Sequence, residues 1–264
     1  MNIDLSGKTA IVSGSTAGIG FAIANGLARS GADVVINGRG EKSVQAALAR
    51  IAKEGPGGKV EGVAADLGTA AGASQFIERV ADADILVNNV GIFEPKPFGE
   101  IPDADWQRFF DINVMSGIRL ARHYLPKMVA RGWGRVVFIS SESGLNIPVE
   151  MIHYGMTKTA QLAISQGLAR SVAGTGVTVN AVLPGPTKSE GVGDFVARLA
   201  RERGLSEAEM EKQFFKEARP TSLIRRFESV EEVANMVVYV CSKEASAATG
   251  AALRVDGGVV NFIA

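Results

Sequence analysis

Residues 9–20 read Thr-Ala-Ile-Val-Ser-Gly-Ser-Thr-Ala-Gly-Ile-Gly, an apolar stretch followed at once by a glycine-rich turn. Thr9 to Val12 is typical of a short β-strand. The residues after the turn predict an α-helix, because apolar side chains recur at helical spacing, at Ile19, Ile23 and Leu27. A strand that enters a helix through such a turn is the first unit of an α/β fold with a parallel sheet.

The glycine turn is also a candidate phosphate site. Gly14 allows a tight turn, Gly18 lets a ligand approach the backbone, and Gly20 lets the helix pack close to the strand. The spacing, Gly-x3-Gly-x-Gly, differs from the common Gly-x-Gly-x-x-Gly, and glycine also serves in ordinary loops. The strand before and the helix after favour a pyrophosphate at the helix N-terminus. The predicted binding residues of the turn are Gly14, Ser15, Thr16, Ala17, Gly18, Ile19 and Gly20.

Short strands alternate with longer helices from Thr9 to Val182. This pattern predicts a three-layer, Rossmann-type α/β fold, in which helices cover both faces of a doubly wound parallel sheet of about seven strands. At 264 residues the chain fits a single nucleotide-binding domain, which we expect to span residues 1–264. Such sheets bind ligands at the carboxyl ends of their strands. Polar residues that follow predicted strands are therefore candidates for a site.

The second predicted strand, Asp33 to Ile36, ends in Asn37-Gly38-Arg39. An acidic residue at this place, about 20 residues past the glycine turn, would hold the hydroxyl groups of the adenosine ribose. No acid is present in this sequence, Gly38 leaves room, and the guanidinium of Arg39 suits a 2′-phosphate. We therefore expect NADP(H). A solvated turn arginine, with Asn37 or a backbone amide holding the ribose, would leave NAD(H) as the alternative.

Further small or polar residues follow later strands. Asp66 ends the predicted strand Lys59 to Ala65 and is well placed to meet adenine. The asparagines at 88 and 89 follow the strand Asp84 to Val87, and they either line the cofactor cleft or form an ordinary Asn-rich turn. The residues that we predict to share this rim are Asp66, Leu67, Asn88, Asn89, Gly91, Pro184 and Gly185.

The segment from Ser141 to Lys158 is the candidate catalytic centre. Ser141 follows a predicted strand, Arg135 to Ile139, while Tyr154 and Lys158 lie on the predicted helix Ile152 to Val172. Their i, i+4 spacing places the phenol and the ammonium on one face of that helix. A free phenol ionises near pH ~10, so we expect the ammonium, helped by an oxidised nicotinamide, to lower the pKa of Tyr154. The Ser141 hydroxyl could bind the same substrate oxygen.

A long helix is predicted from Asp103 to Met128, where aromatic and aliphatic residues recur at helical spacing. Asn113 is a polar residue within that apolar pattern. It is either a core asparagine with satisfied hydrogen bonds or a group that holds a water near the site.

Together these residues resemble the short-chain dehydrogenase/reductase family, in its compact single-domain branch, over nearly the whole length. Ser13 stands where threonine is usual and Val90 where alanine is usual, and both changes are small. The matching motifs are Ser13 to Gly20, Asp66-Leu67, Asn88-Asn89-Val90-Gly91, Asn113, Ser141, Tyr154-x-x-x-Lys158, Pro184-Gly185 and Val255-Asp256-Gly257-Gly258.

The resemblance implies roles for individual residues. Tyr154 would be the acid–base residue, Ser141 would position the substrate carbonyl, Lys158 would also bind the nicotinamide ribose, and Asn113 would hold a relay water. The family's threonine after Pro-Gly, which contacts the nicotinamide amide, falls near Pro186-Thr187-Lys188-Ser189, so either Thr187 or Ser189 would take that role. Members of the family commonly form tetramers through the two long helices, so we expect a homo-oligomer, a tetramer or a dimer.

A charged insertion spans residues 191–226. Phe195, Val196 and Leu199 indicate a first helix, and Ser206-Glu207-Ala208-Glu209 is a capping-box sequence that begins a second, which carries Met210, Phe214 and Phe215. The insertion is expected to be a lid over the substrate, or else an amphipathic pair packed on the core. The apolar stretch Val259 to Ala264 is expected to pack against a neighbouring subunit.

Composition excludes several classes of partner and site. The formal net charge is +0 with dispersed basic residues, which argues against nucleic-acid and membrane surfaces. One cysteine, Cys241, and two histidines give no disulfide framework and no metal site. Met1 to Lys8 lack a signal pattern and no apolar run reaches ~20 residues, so we expect a cytoplasmic protein.

These features predict an NADP(H)-dependent oxidoreductase that interconverts a secondary alcohol and a ketone. The substrate class stays open among 3-oxoacyl, sugar, steroid-like and other small carbonyl compounds. One alternative is a nucleotide-sensing regulator without turnover, which would not require Ser141, Tyr154 and Lys158. A sugar-nucleotide epimerase or dehydratase is a second alternative, for which the chain lacks a C-terminal substrate domain.

Overall fold

The structure is a computed structural model that describes residues 2–263, with the side chains of residues 194 and 195 outside the described part. The strands are β1 (Thr9–Val12), β2 (Asp33–Gly38), β3 (Val60–Ala64), β4 (Ile85–Asn88), β5 (Gly134–Ile139), β6 (Val177–Pro184) and β7 (Ala252–Val255). The α-helices are α1 (Gly18–Arg29), α2 (Glu41–Lys53), α3 (Ala70–Arg79), α4 (Asp103–Phe110), α5 (Ser116–Arg131), α6 (Ile152–Ser171), α7 (Glu190–Arg203), α8 (Glu207–Glu217) and α9 (Val230–Val240).

The strands form one parallel sheet in the order β3-β2-β1-β4-β5-β6-β7. The chain runs outward from β1 to β3 and then returns to the other side of β1 with β4. At that reversal the loops after β1 and β4 diverge to opposite faces, which opens a crevice at the carboxyl end of the sheet. The predicted fold class, a doubly wound parallel sheet covered by helices, is confirmed.

Two apolar cores lie on opposite faces of the sheet. One contains side chains of α1, α2 and α9, including Ile23, Ile51 and Val237. The other contains side chains of α3, α5 and α6, including Phe76 and Tyr124. Because both faces are covered, the inner strands are largely apolar, with Arg135 in β5 and Thr178 and Asn180 in β6 as buried polar exceptions.

Two helical regions differ from the sequence prediction. Helix α3 was not predicted, because Ala70 to Arg79 is rich in small residues and offers few large apolar side chains. The predicted helix Asp103 to Met128 is instead α4 and α5 joined by a π-helical turn, Asp111–Met115. A π turn widens the helix and releases carbonyls from their usual partners. Asn113 lies within it.

Residues 190–226 leave the sheet after β6 and return before α9. Helices α7 and α8 form a third apolar core with Phe227, separate from the cores on the sheet. Ser206 and Glu209 make the predicted capping box of α8. Phe195 lies outside the described side chains. The outgoing and returning chain are joined by a bridge between Thr187 and Glu228, so the segment has a closed neck.

The C-terminal stretch is divided between the chain's own interior and its surface. Val259 and Val260 are buried within the chain, whereas Phe262 and Ile263 are exposed. Ala264 lies outside the described residues, and packing of this stretch against another subunit stays a prediction. Over residues 2–263, no helix has both the length and the apolar character needed to cross a membrane.

Candidate active site

Strand β5 and helix α6 bring Ser141 and Tyr154 together. Ser141 follows β5 in extended conformation, and its Oγ accepts a hydrogen bond from the Ser143 backbone at 3.1 Å, which fixes the hydroxyl at a strand end. Tyr154 lies in the first turn of α6, with the ring of Phe93 edge-on at 6.4 Å. The two side chains share the wall of a cavity of about 460 Å³. The predicted proximity of serine and tyrosine is therefore present in the structure.

Lys158 follows one helical turn later. Its Nζ lies 5.5 Å from the centre of the Tyr154 ring and donates to the Ile139 carbonyl oxygen at 2.9 Å. The side chain is buried yet lines the same cavity. The i, i+4 spacing thus places the ammonium beside the phenol, as the helix geometry predicts.

Burial governs the pKa shifts of this pair. Burial raises the pKa of Tyr154 to about 12, although the Ser141 hydroxyl acts in the opposite direction by hydrogen bonding. Burial also lowers the pKa of Lys158 to about 8. Removal from water disfavours the charged form of each group. These shifts belong to the chain alone, whereas the expectation combined the lysine with an oxidised nicotinamide, so a lowered Tyr154 pKa in the cofactor-bound enzyme stays a prediction.

Asn113 is a core asparagine whose hydrogen bonds are satisfied. Its Oδ1 accepts from the Ile92 backbone at 2.8 Å, and its Nδ2 donates to the Ile92 carbonyl at 3.0 Å and to Thr157 Oγ1 at 2.9 Å. Thr157 in turn donates to the Tyr154 carbonyl at 2.7 Å. Of the two interpretations of Asn113, these bonds match the first. The residue ties the loop after β4 to the helical turn that carries Tyr154.

The glycine turn has the backbone geometry that a phosphate cradle requires. Gly14 and Gly18 have φ of +60° and +57°, which favours glycine, and α1 begins at Gly18 with its N-terminus facing the crevice. A Cβ on Gly20 would lie 2.4 Å from the Gly14 carbonyl oxygen, so only glycine allows the close packing there. Asn89 holds the turn by donating to the Ser13 and Gly14 carbonyls at 3.1 and 2.9 Å.

The three residues at the end of β2, Asn37, Gly38 and Arg39, lie in different environments. Asn37 is buried, and its amide bonds to the backbone of Gly14, Val63 and Ala65, so it cannot hold a ribose. Gly38 does not leave room as expected, because a Cβ there would lie 2.5 Å from Thr16 Cγ2. Arg39 is exposed at the rim. Its guanidinium makes no ion pair or hydrogen bond with any residue in the described part of the chain.

The remaining predicted rim residues fall into two groups. Asp66 is exposed, and its Oδ1 accepts from the Gly68 backbone at 3.0 Å, whereas Leu67 is buried in the core. Asn88 is buried below the rim and does not line the cavity, and its amide has no partner among residues 2–263. The predicted residues that do line the cavity are Ile19, Asn89, Gly91, Ser141, Tyr154, Lys158, Pro184, Gly185 and Thr187.

The loop after β6 carries the two candidates for a nicotinamide contact. Thr187 Oγ1 donates to the Gly185 carbonyl at 3.0 Å, while Ser189 Oγ caps α7 by accepting from Val192 at 3.4 Å. Below this loop lies Glu228, which accepts from the Gly185 backbone at 3.2 Å. Burial raises the pKa of Glu228 to about 7. Sequence reasoning missed this carboxylate, since nothing in Phe-Glu-Ser indicates burial.

The segment 190–226 forms the other wall of the cavity, through Val192, Val196, Leu199, Met210, Phe214 and Arg219. Arg219 Nε lies 3.0 Å from Glu142 Oε1, the residue next to Ser141, and Nη1 lies 3.5 Å from Glu150. The side chains of Arg219 and Glu142 are 12% and 4% exposed, so this ion pair is buried. Burial raises the pKa of Glu142, and Arg219 opposes that rise. The sequence predicted neither residue, because they are far apart in the chain.

Known proteins show which family shares this arrangement. A family model described as enoyl-(acyl carrier protein) reductase matches residues 14–260. The chain is 47% identical over 263 residues to the uncharacterized oxidoreductase YvaG of Bacillus subtilis (strain 168), with 100% of both chains covered. It is 36% identical over 263 residues to the 3-oxoacyl-(acyl-carrier-protein) reductase FabG of Aquifex aeolicus (strain VF5), covering 98% of this chain and 100% of that protein.

Among solved structures, the L-sorbose reductase of Gluconobacter frateurii, complexed with NADPH and L-sorbose, matches with a TM-score of 0.93 at 33% identity and 100% coverage of both chains. The chain therefore belongs to the short-chain dehydrogenase/reductase family, and it is an oxidoreductase that acts on CH–OH groups. The family prediction made from the motifs is confirmed. These relatives are named as oxidoreductases, which does not support the regulator or epimerase alternatives.

Proposed function

We propose that the chain is an NADP(H)-dependent reductase that interconverts a ketone and a secondary alcohol at Ser141, Tyr154 and Lys158. The observation that carries the proposal is the shared cavity wall. These three side chains line one cavity together with Asn89 of the cradle and Thr187 of the β6 loop. A carbonyl bound beside Tyr154 would therefore also lie beside the place of a nicotinamide.

The residues present fit a dinucleotide. The positive-φ glycines and the start of α1 would bind its pyrophosphate, Asp66 its adenine, and Arg39 its 2′-phosphate. Thr187 is the better candidate for the nicotinamide amide, because Ser189 is engaged as a helix cap. The cofactor, when bound, supplies the hydride and, when oxidised, a positive charge. The sorbose reductase is complexed with NADPH, which is consistent with this choice.

The protein's own groups then manage the proton. In reduction, Ser141 donates a hydrogen bond to the carbonyl oxygen and Tyr154 gives that oxygen its phenolic proton. The phenolate that results is stabilised by the ammonium of Lys158, 5.5 Å from the ring centre. Asn113 and Thr157 hold the turn of α6 that sets the position of Tyr154.

The substrate is a small carbonyl compound bound against a largely apolar wall. The relatives act on chemically different substrates by name, a 3-oxoacyl group and L-sorbose, so both classes belong in any screen. We also propose that residues 191–226 act as a lid, since their apolar side chains line the same cavity as Tyr154. A homo-oligomer built through α4, α5 and α6, and a location in the cytoplasm, stay predictions.

The decisive experiment is a screen of 3-oxoacyl, sugar, steroid-like and simple ketones, with NADPH oxidation as the readout, followed by Tyr154→Phe on the best substrate. Loss of the proton donor should lower kcat by about 10²–10⁴-fold. Affinity for NADPH, measured by fluorescence titration, should change little because the cradle is intact. Near-normal turnover by Tyr154→Phe would exclude tyrosine from the mechanism. Cofactor binding without turnover of any substrate would favour a sensor.

A further inference from the structure

Gln161 joins two parts of the proposed site. It lies on α6, three residues after Lys158, and is 2% exposed. Its Nε2 donates to the Asn113 carbonyl oxygen at 2.6 Å, and its Oε1 accepts from Lys158 Nζ at 3.4 Å. A single buried amide therefore uses its donor end on the π turn and its acceptor end on the ammonium.

The Asn113 carbonyl lies in the π turn, where side chains bond successive backbone carbonyls: Ser116 Oγ donates to the Ile112 carbonyl at 2.6 Å, and Gln161 donates to the next one. A buried carbonyl without a donor is unfavourable. Gln161 thus stabilises the backbone at Asn113 while it faces Lys158.

Lys158 has three N–H donors as an ammonium. One bonds the Ile139 carbonyl and one bonds Gln161. No third acceptor contacts Nζ within the described residues, and Lys158 lines the cavity. The third N–H group of Lys158 is therefore available to bond a molecule in the cavity.

We propose that Gln161 is a positioning residue that holds Lys158 in its ammonium form and fills the space between Lys158 and Asn113. The relay water implied at Asn113 by the family resemblance is replaced by an amide. A primary amide is neither a useful acid nor a useful base near neutral pH, so it does not pass protons as water does. Lys158 accordingly exchanges its proton with water in the cavity. This inference rests on the proposed function, in which the Lys158 ammonium stabilises the Tyr154 phenolate.

The first test measures Lys158 without any substrate. Lysine labelled with ¹³C at Cε is titrated by NMR, and the Lys158 signal is assigned by its loss in Lys158→Arg. Gln161→Leu removes the acceptor from the ammonium and should lower the Lys158 pKa by about one unit. Gln161→Glu adds a carboxylate and should raise it. Gln166→Leu, an exposed position on the same helix, should leave it unchanged.

The second test follows kcat against pH with the substrate found in the screen. In Gln161→Leu the loss of activity at high pH should begin about one pH unit lower, and in Gln161→Glu it should begin at higher pH. Gln161→Ala should leave space for water between Asn113 and Lys158. At the pH of its highest activity, that variant should show a larger solvent isotope effect than the unmodified enzyme, whatever its kcat.

A purely structural role predicts other results. If Gln161→Leu and Gln161→Glu lower only thermal stability, and the Lys158 titration and the pH profile do not move, the inference is wrong. An unchanged isotope effect in an active Gln161→Ala would overturn the exclusion of the relay water. Failure of the proposed function is distinguishable, because it appears as turnover by Tyr154→Phe, whereas the NMR titration of Lys158 requires no turnover.

Discussion

The two walls of the cavity are built in different ways. On the wall that we propose to bind the cofactor, called the cofactor wall, backbone conformation and buried polar bonds set the geometry. These are the glycines at positive φ, the Asn37 amide on the backbone of Gly14, Val63 and Ala65, and the Asn89 amide on the glycine turn. On the facing wall, residues 190–226 form an apolar core with Phe227 and reach the loop after β5 through the buried pair Arg219–Glu142. The first wall is part of the sheet, and the second is attached to it at the neck and at Arg219.

This difference indicates a division of labour. Contacts made by backbone and by short side chains at fixed spacing suit a ligand that does not vary, such as a dinucleotide. A separate helical pair can change its side chains without disturbing the sheet, so it suits the part of the site that selects a substrate. If the two walls are energetically separate in this way, substitutions in one wall should not change the stability of the other.

The largest effect is expected at Arg219. Arg219→Ala leaves the buried carboxylate of Glu142 without its cation, and breaking a buried pair costs about 3–5 kcal/mol. Both the free energy of unfolding, measured in urea, and kcat/KM should fall, because Glu142 adjoins Ser141. The deficit should shrink as pH falls, since Glu142 can then take up a proton.

Arg203→Ala is the matched control on the same segment. Arg203 pairs with Glu217 at 3.4 Å, but the side chains are 46% and 54% exposed. Exposed pairs contribute about 0–1 kcal/mol. Equal losses in Arg219→Ala and Arg203→Ala would show that burial of the first pair has no energetic consequence.

The neck should make stability depend on pH through Glu228. Its folded pKa, about 7, lies above the ordinary carboxyl value of 4.5, so the folded state binds more protons between those values. This contribution to stability is present below about pH 4.5 and is lost as pH rises through 7, by at most about 3 kcal/mol. Glu228→Gln should remove it. The difference in Tm between variant and unmodified protein should therefore grow in favour of the variant from pH 5 to about 8.

Glu231→Gln removes a charge at an exposed position nearby and serves as the control. A Tm difference between Glu228→Gln and the unmodified protein that does not vary with pH would mean that the carboxyl of Glu228 does not titrate in this range.

The sequence predicted the cofactor wall well and the facing wall poorly, for a physical reason. Gly14 and Gly18 act through their own backbone conformation, and their spacing is visible in a motif. Asn89 bonds Ser13 and Gly14 from 76 and 75 positions away, but it lies in a motif of its own, Asn88-Asn89-Val90-Gly91. Arg219 and Glu142 contact each other across 77 positions of the chain, and no local pattern connects them. At Gly38, the prediction for the cofactor wall was inaccurate. The space expected beside Gly38 is filled by the Thr16 side chain of the glycine turn, and the sequence around Gly38 does not show this.

The choice between NADPH and NADH tests the cofactor wall. Arg39→Ala should lose a charge-assisted bond of roughly 1.5–3 kcal/mol to the 2′-phosphate, or less because Arg39 is exposed, which lowers NADPH affinity by about tenfold to a hundredfold. NADH affinity should not change, and Lys42→Ala, exposed at the start of α2, should behave as the unmodified protein. Fluorescence titration with both reduced cofactors measures this. Equal affinity of the unmodified protein for NADH and NADPH would refute the role of Arg39. Gly38→Asp is unsuitable here because its side chain would strike Thr16.

The smallest expected effect decides most directly whether the two walls are separate. Helices α8 and α9 begin with the same capping box: Ser206 with Glu209, and Ser229 with Glu232. Ser→Ala at either cap costs about 1 kcal/mol. Helix α9 packs in a core of the sheet, so Ser229→Ala should lower the global free energy of unfolding by that amount. The buried side chains of helix α8, Met210 and Phe215, lie in the third apolar core, which is separate from the cores on the sheet, so Ser206→Ala should speed amide hydrogen exchange within residues 190–226 and leave global unfolding unchanged. If both substitutions lower global stability equally, residues 190–226 unfold together with the sheet. In that case side-chain changes in the segment would also destabilise the sheet, and the proposed separation of the two walls would be wrong.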